Sequence, residues 1–243
     1  MKNQYVGDIG DYGKYGLLRF LAKNGIKIGI NWYLTENDGS SDGKFIYYLN
    51  KPAEGKYDPE LFNSLGKIAF HPDKTVEMIE SAGIIPGAEF YNVLLRSKCL
   101  ELEKRKTARC LWFNNSILLL NEVELIFADP DNGISYRKNM KTKDSEKYIL
   151  PEEVYKYYKS GKNVVFYCHK GRRGEEAWDK AKSGIGKYIN DAYVLAITYH
   201  RGTQRSYIFV LHQECFQKYE KLLKEFVGSA WGKIFSWEPV NKN

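Results

Sequence analysis

The sequence predicts an α/β fold, an open and mostly parallel Rossmann-like sheet with helices on both faces and a C-terminal antiparallel hairpin. Three observations carry this expectation. The run Leu125-Ile126-Phe127-Ala128 is continuously apolar and ends abruptly in Asp129-Pro130-Asp131-Asn132-Gly133, as a strand buried on both faces ends at the ligand edge of a parallel sheet. Residues 163–168 repeat the pattern and lead into His169-Lys170-Gly171-Arg172-Arg173-Gly174. Apolar runs alternate with helical periodicities until residues 192–198 and 206–211, which a turn-rich stretch joins as a hairpin. The expected organisation is one domain over residues 1–243, with a helical insertion around 51–116.

Taken in order, residues 1–24 carry Gly7-Asp8-Ile9-Gly10-Asp11-Tyr12-Gly13-Lys14-Tyr15-Gly16, followed by Leu17, Leu18 and Leu21 at helical spacing. The glycines argue against a helix through the first half, so a loop feeding a short helix is expected, with Asp8, Asp11 and Lys14 at its entry. Residues 26–34 read as a strand, then a loop rich in Gly, Ser and acids holds Glu36, Asp38, Gly39 and Asp42, then 44–49 look helical. Lys51-Pro52, Asp58-Pro59 and His71-Pro72 mark boundaries in a surface connection, and Asp58 caps a helix through Leu61 and Leu65. Residues 73–82 are helical up to Gly83, 90–95 form a strand, and 96–116 a charged helix whose Lys98, Glu101, Lys104, Arg105, Lys106 and Arg109 read as a solvated face. The lysine-rich stretch 135–146, with Arg137, Lys138 and Lys141, reads as a mobile loop beside the Asp129 strand end. Pro151, Glu152 and Glu153 open a helix that Gly161 stops, another helix covers 175–181, and 214–226 is amphipathic before a last loop or short strand at 231–240.

Composition narrows the function classes. With 243 residues, 43% of them hydrophobic and 15% aromatic, the chain has material for a sizeable core and does not resemble a disordered segment. Thirty-seven Lys+Arg against 30 Asp+Glu give a net charge of +7, which leans toward a polyanionic partner such as RNA or DNA. Cys99, Cys110, Cys168 and Cys215 form no C-x-x-C pair, so neither a zinc site nor a disulfide framework is indicated. No apolar stretch has the length of a signal region or a membrane span, and the expectation is a reduced, cytoplasmic protein without a membrane partner.

The chemistry is expected at the strand ends. Asp129, Asp131 and Asn132 at one and His169 at another are the candidate catalytic residues. Arg172, Arg173, His200, Arg201 and Arg205 are candidates for substrate and phosphate binding, because guanidinium forks suit oxyanions. Asp129 and Asp131 leave opposite faces of an extended strand, so only a turn at Pro130 brings them together.

Two of these stretches resemble the RlmJ-type bacterial ribosomal-RNA adenine-N6 methyltransferases. Gly7-Asp8-Ile9-Gly10-Asp11-Tyr12-Gly13-Lys14-Tyr15 resembles their H-A-G-N-x-A-D-x-x-K-H opening, with Gly, Asp and Lys at the same spacing. Tyr33-Leu34-Thr35-Glu36-Asn37-Asp38-Gly39 stands where they carry Y-L-D-T-H-A-G, and Asp129-Pro130-Asp131-Asn132 where they carry D-P-P-Y. The resemblance implies a class I methyltransferase-like sheet holding S-adenosylmethionine between the Lys14, Asp38-Gly39 and Asp129 regions, with Lys14, Tyr15, Glu36, Asp38, Gly39 and Asp129 as its binding residues. The chain departs from the pattern at Thr35, Asp131 and Asn132. The missing aromatic removes about 1–3 kcal/mol of base stacking in comparable contacts, so the adenine substrate does not carry over.

Two enzyme readings therefore stand. In the first, an S-adenosylmethionine-dependent methyltransferase-like enzyme acts on nucleic acid or a related polyanion, with Asp129 holding the amine in line with the methyl group. In the second, a metal-dependent nuclease or phosphodiesterase uses Asp38, Asp129 and Asp131 as hard oxygen ligands for Mg²⁺ or Mn²⁺, with His169 or His200 as base or ligand. A non-catalytic binding module on the same fold is the third.

Overall fold

Among the described residues seven strands assemble into one sheet and two pair apart from it. A computed structural model describes the chain except for residues 41, 42, 44, 97–99, 137–142 and 240–243, so Asp42, Lys98, Cys99, Arg137, Lys138 and Lys141 lie outside the described residues. In chain order the strands are β1 (Ile28–Asn31), β2 (Glu89–Tyr91), β3 (Leu125–Ala128), β4 (Gly133–Ile134), β5 (Tyr148–Ile149), β6 (Asn163–His169), β7 (Tyr193–Tyr199), β8 (Arg205–Leu211) and β9 (Phe235–Pro239). The large sheet runs β2-β1-β3-β6-β8-β7-β9, while β4 and β5 pair separately. Pairs from β2 to β6 are parallel, and β8, β7 and β9 add antiparallel pairs, the β7–β8 hairpin among them. From β1 the chain goes to β2 on one side and eventually to β3 on the other, so the carboxyl ends of β1 and β3 flank a topological switch point.

Among the described residues seven α-helices cover the sheet: α1 (Ile9–Lys23), α2 (Pro59–Ala69), α3 (Val76–Ser81), α4 (Leu102–Leu119), α5 (Pro151–Lys159), α6 (Glu175–Tyr188) and α7 (Gln213–Gly228). Alternating strand residues divide the core between two faces. Ile28, Ile30, Leu125, Phe127 and Val165 pack with Leu17 and Leu21 of α1, Leu61 of α2, Val76 of α3 and Leu223 of α7. Ile126, Ala128, Val164 and Phe166 pack with Trp112 and Phe113 of α4, Val154 of α5 and Trp178 of α6. The stretch 51–116 supplies helices and also the edge strand β2.

Three expectations change. The glycine-rich opening is helical from Ile9 onward, because Gly10, Gly13 and Gly16 form a stripe that lets α1 press onto the sheet. A Cβ there would stand 2.9 Å from the Arg205 guanidinium, 2.7 Å from the Tyr199 ring and 2.4 Å from the Trp231 ring, respectively. Asp8 caps this helix by accepting from the Asp11 amide at 2.9 Å, and Asp58 caps α2 as expected. The stretch read as helical at 44–49 contains a 3-10 turn at Tyr47–Asn50 instead. The charged face of α4 is only partly solvated: Arg109, 2% exposed, joins Glu153 through Nε to Oε1 at 2.7 Å and Nη2 to Oε2 at 2.9 Å, and donates to the carbonyls of Ser145 and Tyr148.

Candidate functional site

A cavity of about 470 Å³ opens at the carboxyl edge of the parallel strands, under the first turn of α1. Asp129 follows the last residue of β3, and its amide donates to the carbonyl of Asn31, the last residue of β1. Gly133 ends the Asp129–Asn132 stretch with φ +97°, and a Cβ there would stand 2.7 Å from Cys168 Sγ and 2.8 Å from Cys168 Cα on β6. The turn brings Asp129 and Asp131 to the same cavity, which an extended strand could not do.

Lys14 joins the N-terminal motif to this strand end. Its Nζ lies 2.7 Å from Asp11 Oδ1 and 2.6 Å from Asp129 Oδ2, and all three side chains are buried. Lys and Asp three apart on α1 face the same way, so the D-x-x-K spacing is what aims both at Asp129. Asp11 Oδ2 accepts from the Gly7 amide at 2.9 Å and the Tyr15 hydroxyl at 3.1 Å. Burial opposes the Lys14 ammonium, but Asp11 and Asp129 outweigh it and hold it well above the usual lysine range. Burial pushes the Asp129 carboxyl upward against the pull of Lys14.

Residues 1 and 2 enter the crevice between β1 and β3. The Met1 ammonium lies 2.8 Å from Asp131 Oδ1, 2.8 Å from the Asp129 carbonyl and 3.2 Å from the Tyr33 carbonyl, and Lys14 Nζ stands 3.9 Å from its thioether sulfur. The carbonyl of Met1 accepts from the Thr35 amide at 2.9 Å. Lys2 pairs with Asp38 Oδ2 at 2.6 Å and stands 3.4 Å from Asp131 Oδ2. Asp131 is thus held by charge alone, since neither buried oxygen receives a directed hydrogen bond. Tyr33 is buried at φ +45°, a left-handed backbone that costs a non-glycine residue on the order of 1 kcal/mol. The Asn31 side chain supports it by accepting from the Tyr33 amide at 3.0 Å.

The opposite wall comes from β6 and β8. Tyr167 and His169 lie two apart on the same face of β6, and the Tyr167 hydroxyl stands 3.3 Å from His169 Nδ1. Arg205 opens β8 and pairs in register with His169.

Of the residues the sequence singled out, Lys14, Asp38, Asp129, Asp131, Asn132, His169 and Arg205 line this cavity. Tyr15 braces Asp11 and is not part of the lining, while Glu36 and Gly39 are exposed, Glu36 lying 3.7 Å from Arg96. Arg172 is exposed, Arg173 donates to the His169 carbonyl, Arg201 pairs with Glu54 at 3.1 Å, and His200 bonds Ser236 at 2.7 Å. Sequence reasoning missed Tyr167, although the two-residue period of β6 places it beside His169; Thr203 lies in the 200–205 loop expected at this edge, and nothing in the sequence pointed to Lys2. Asp38, Asp129 and Asp131 each face an ammonium group, and among the described residues no three His, Cys, Asp or Glu side chains are arranged to hold a metal ion. No helix of the described residues is long and apolar enough to cross a membrane.

No protein-family model matches the chain, and the search of curated proteins finds no significant match. Among solved structures, protein LPL1258 from Legionella pneumophila str. Philadelphia 1, of the family DUF519, is similar over 98% of this chain and 96% of that one, with a TM-score of 0.42 and 11% identity.

Proposed function

We propose that the protein is an S-adenosylmethionine-dependent methyltransferase-like enzyme acting on nucleic acid or a related polyanion. The observation that carries this reading is the Asp11–Lys14–Asp129 chain, in which the two stretches that resemble methyltransferase motifs meet at the sheet's switch point. The acceptors beside it suit the methionine end of the cofactor. Asp131 and the carbonyls of Tyr33 and Asp129 already converge on one ammonium group, next to a thioether. Residues 1 and 2 must leave this crevice for a ligand to enter.

When bound, the cofactor would supply an electrophilic methyl group. Asp131 and the Tyr33 carbonyl would hold its ammonium, and Lys14 its carboxylate. Asp129 is the acceptor that orients a substrate amine, and the Lys14 ammonium at 2.6 Å opposes the rise that burial imposes on its carboxyl. The test is transfer of labelled methyl from S-adenosylmethionine to RNA and DNA fractions. Incorporation by the wild type that is lost in Asp129→Asn supports the proposal, and absence of incorporation into every fraction argues against it.

A further inference from the structure

The cavity has a second functional wall, which the Asp11–Lys14–Asp129 chain does not use. We propose that Arg205, with Thr203 and His169 beside it, forms a subsite for a terminal phosphate of the substrate. The inference names the substrate end of the site described above and rests on that reading only for the reaction that follows binding.

Arg205 is 8% exposed and lines the cavity, yet among the described residues no carboxylate stands within the 4.0 Å of an ion pair. Its Nη1 donates to the carbonyls of Arg201 at 2.8 Å and Thr203 at 2.9 Å, which fixes the fork without neutralising it. The guanidinium lies over Gly10, in the first turn of the 15-residue helix α1, where a Cβ would approach its Cζ to 2.9 Å. A buried cation at the positive end of a helix is unfavourable twice over, and an anion relieves both costs. The carboxylates nearby are committed elsewhere: Asp11 to Lys14, the Gly7 amide and the Tyr15 hydroxyl, and Asp8 to capping α1. Asp8 still faces the cavity and acts on Arg205 at longer range.

Hydrogen-bonding groups surround the guanidinium. Thr203 Oγ1 lies 3.5 Å from His169 Nδ1, and both residues line the cavity together with Tyr167 and Lys147. Tyr207, two residues along β8 from Arg205, carries a buried hydroxyl without a hydrogen-bond partner, and Arg205 is its strongest charged neighbour. Phosphate suits this wall because its oxygens take a guanidinium fork and several hydroxyl donors at once. A terminal phosphate is specified because Arg205 is buried within the cavity, whereas Arg201 is paired with Glu54 and Arg173 donates to the His169 carbonyl. The cavity volume is in the range that takes one nucleotide-sized group.

Calorimetric titration of the full chain, without any adenosyl compound, tests this. Inorganic phosphate should bind saturably below about 10 mM, Arg205→Gln should weaken it about tenfold or more, and Asp8→Asn should strengthen it several-fold. If Arg205→Gln does not fold, Thr203→Val should weaken binding about threefold. A 5′-phosphorylated oligonucleotide should bind more tightly than its 5′-hydroxyl form, and 5′-AMP more tightly than adenosine; preference in only one pair identifies the source of the phosphate. No saturable phosphate binding by the wild type, unchanged affinity in the folded variant, or equal affinity with and without the terminal phosphate in both pairs would overturn the subsite. Because adenosyl ligand is absent, failure here leaves the methyltransferase reading standing, and the reverse also holds.

Discussion

Lys14 Nζ and Asp129 Oδ2, from residues 115 apart in sequence, lie 2.6 Å apart inside the protein, with Asp11 on the other side of the ammonium at 2.7 Å. One buried cation therefore serves two buried carboxylates, and removing it takes the ion-pair partner from Asp129 and leaves Asp11 only the Gly7 amide and the Tyr15 hydroxyl. Lys14→Met should cost about 3–5 kcal/mol of stability, a fall in Tm on the order of 10 °C for a chain of this size. Adding Asp129→Asn should recover part of the loss, because it removes one of the orphaned charges. Thermal unfolding of both variants checks this, and an unchanged Tm in Lys14→Met would show that the pair is not formed.

Asp8 gives a pH dependence with a definite sign. Burial first, and the charge of Asp11 second, raise its carboxyl above the ordinary value of 3.8. A carboxyl raised on folding favours the folded state while protonated, and that contribution is lost as pH climbs from the ordinary value through the raised one. Asn caps a helix as well as Asp does. The stability of Asp8→Asn relative to wild type should therefore improve between pH 4 and pH 7 in denaturant titrations. A difference that stays flat or moves the other way contradicts the shift.

The glycines of α1 and α2 should respond in opposite directions to the same substitution. Gly16→Ala drives a methyl into the Trp231 ring and should destabilise by about 1–3 kcal/mol, despite the gain in helix propensity. Gly66 in α2 has nothing within 4 Å of a Cβ, so Gly66→Ala should stabilise by about 0.5–1 kcal/mol. Equal effects in urea unfolding would mean that α1 does not pack by its glycine stripe.

Arg109→Lys should behave as a disruptive change. The guanidinium reaches both oxygens of Glu153 and two carbonyls of the segment leading into β5, a geometry one ammonium cannot reproduce. A loss of about 2–4 kcal/mol is expected, with faster amide exchange at residues 145–150. Near-wild-type stability would place the contribution in charge alone.

The legibility of the chain follows from which forces are local. The strand at 125–128 and the hairpin were readable because continuous apolar runs and turn residues act over a few neighbours, and the cap at Asp58 was readable for the same reason. The start of helix α1 is not legible because the glycine penalty is local, whereas the compensating contacts with Tyr199 and Trp231 come from about two hundred residues away. Arg109 looked like part of a solvated face for a similar reason, since its partner Glu153 is 44 residues distant. At the site, the strand ends drew attention to Asp129, Asp131 and His169, but which of five basic residues enters the cavity depended on side-chain direction after β6 and β7. No local pattern indicated that residues 1 and 2 fill the crevice beside Asp131.

The most direct measurement is calorimetric binding of S-adenosylmethionine and S-adenosylhomocysteine to the wild type and to Asp131→Asn. The wild type should bind both ligands saturably, with a loss of about tenfold or more in Asp131→Asn, because that carboxylate would hold the ligand ammonium. No binding of either ligand at about 1 mM would contradict it, since a cofactor this weakly held contributes less than about 4 kcal/mol of binding free energy.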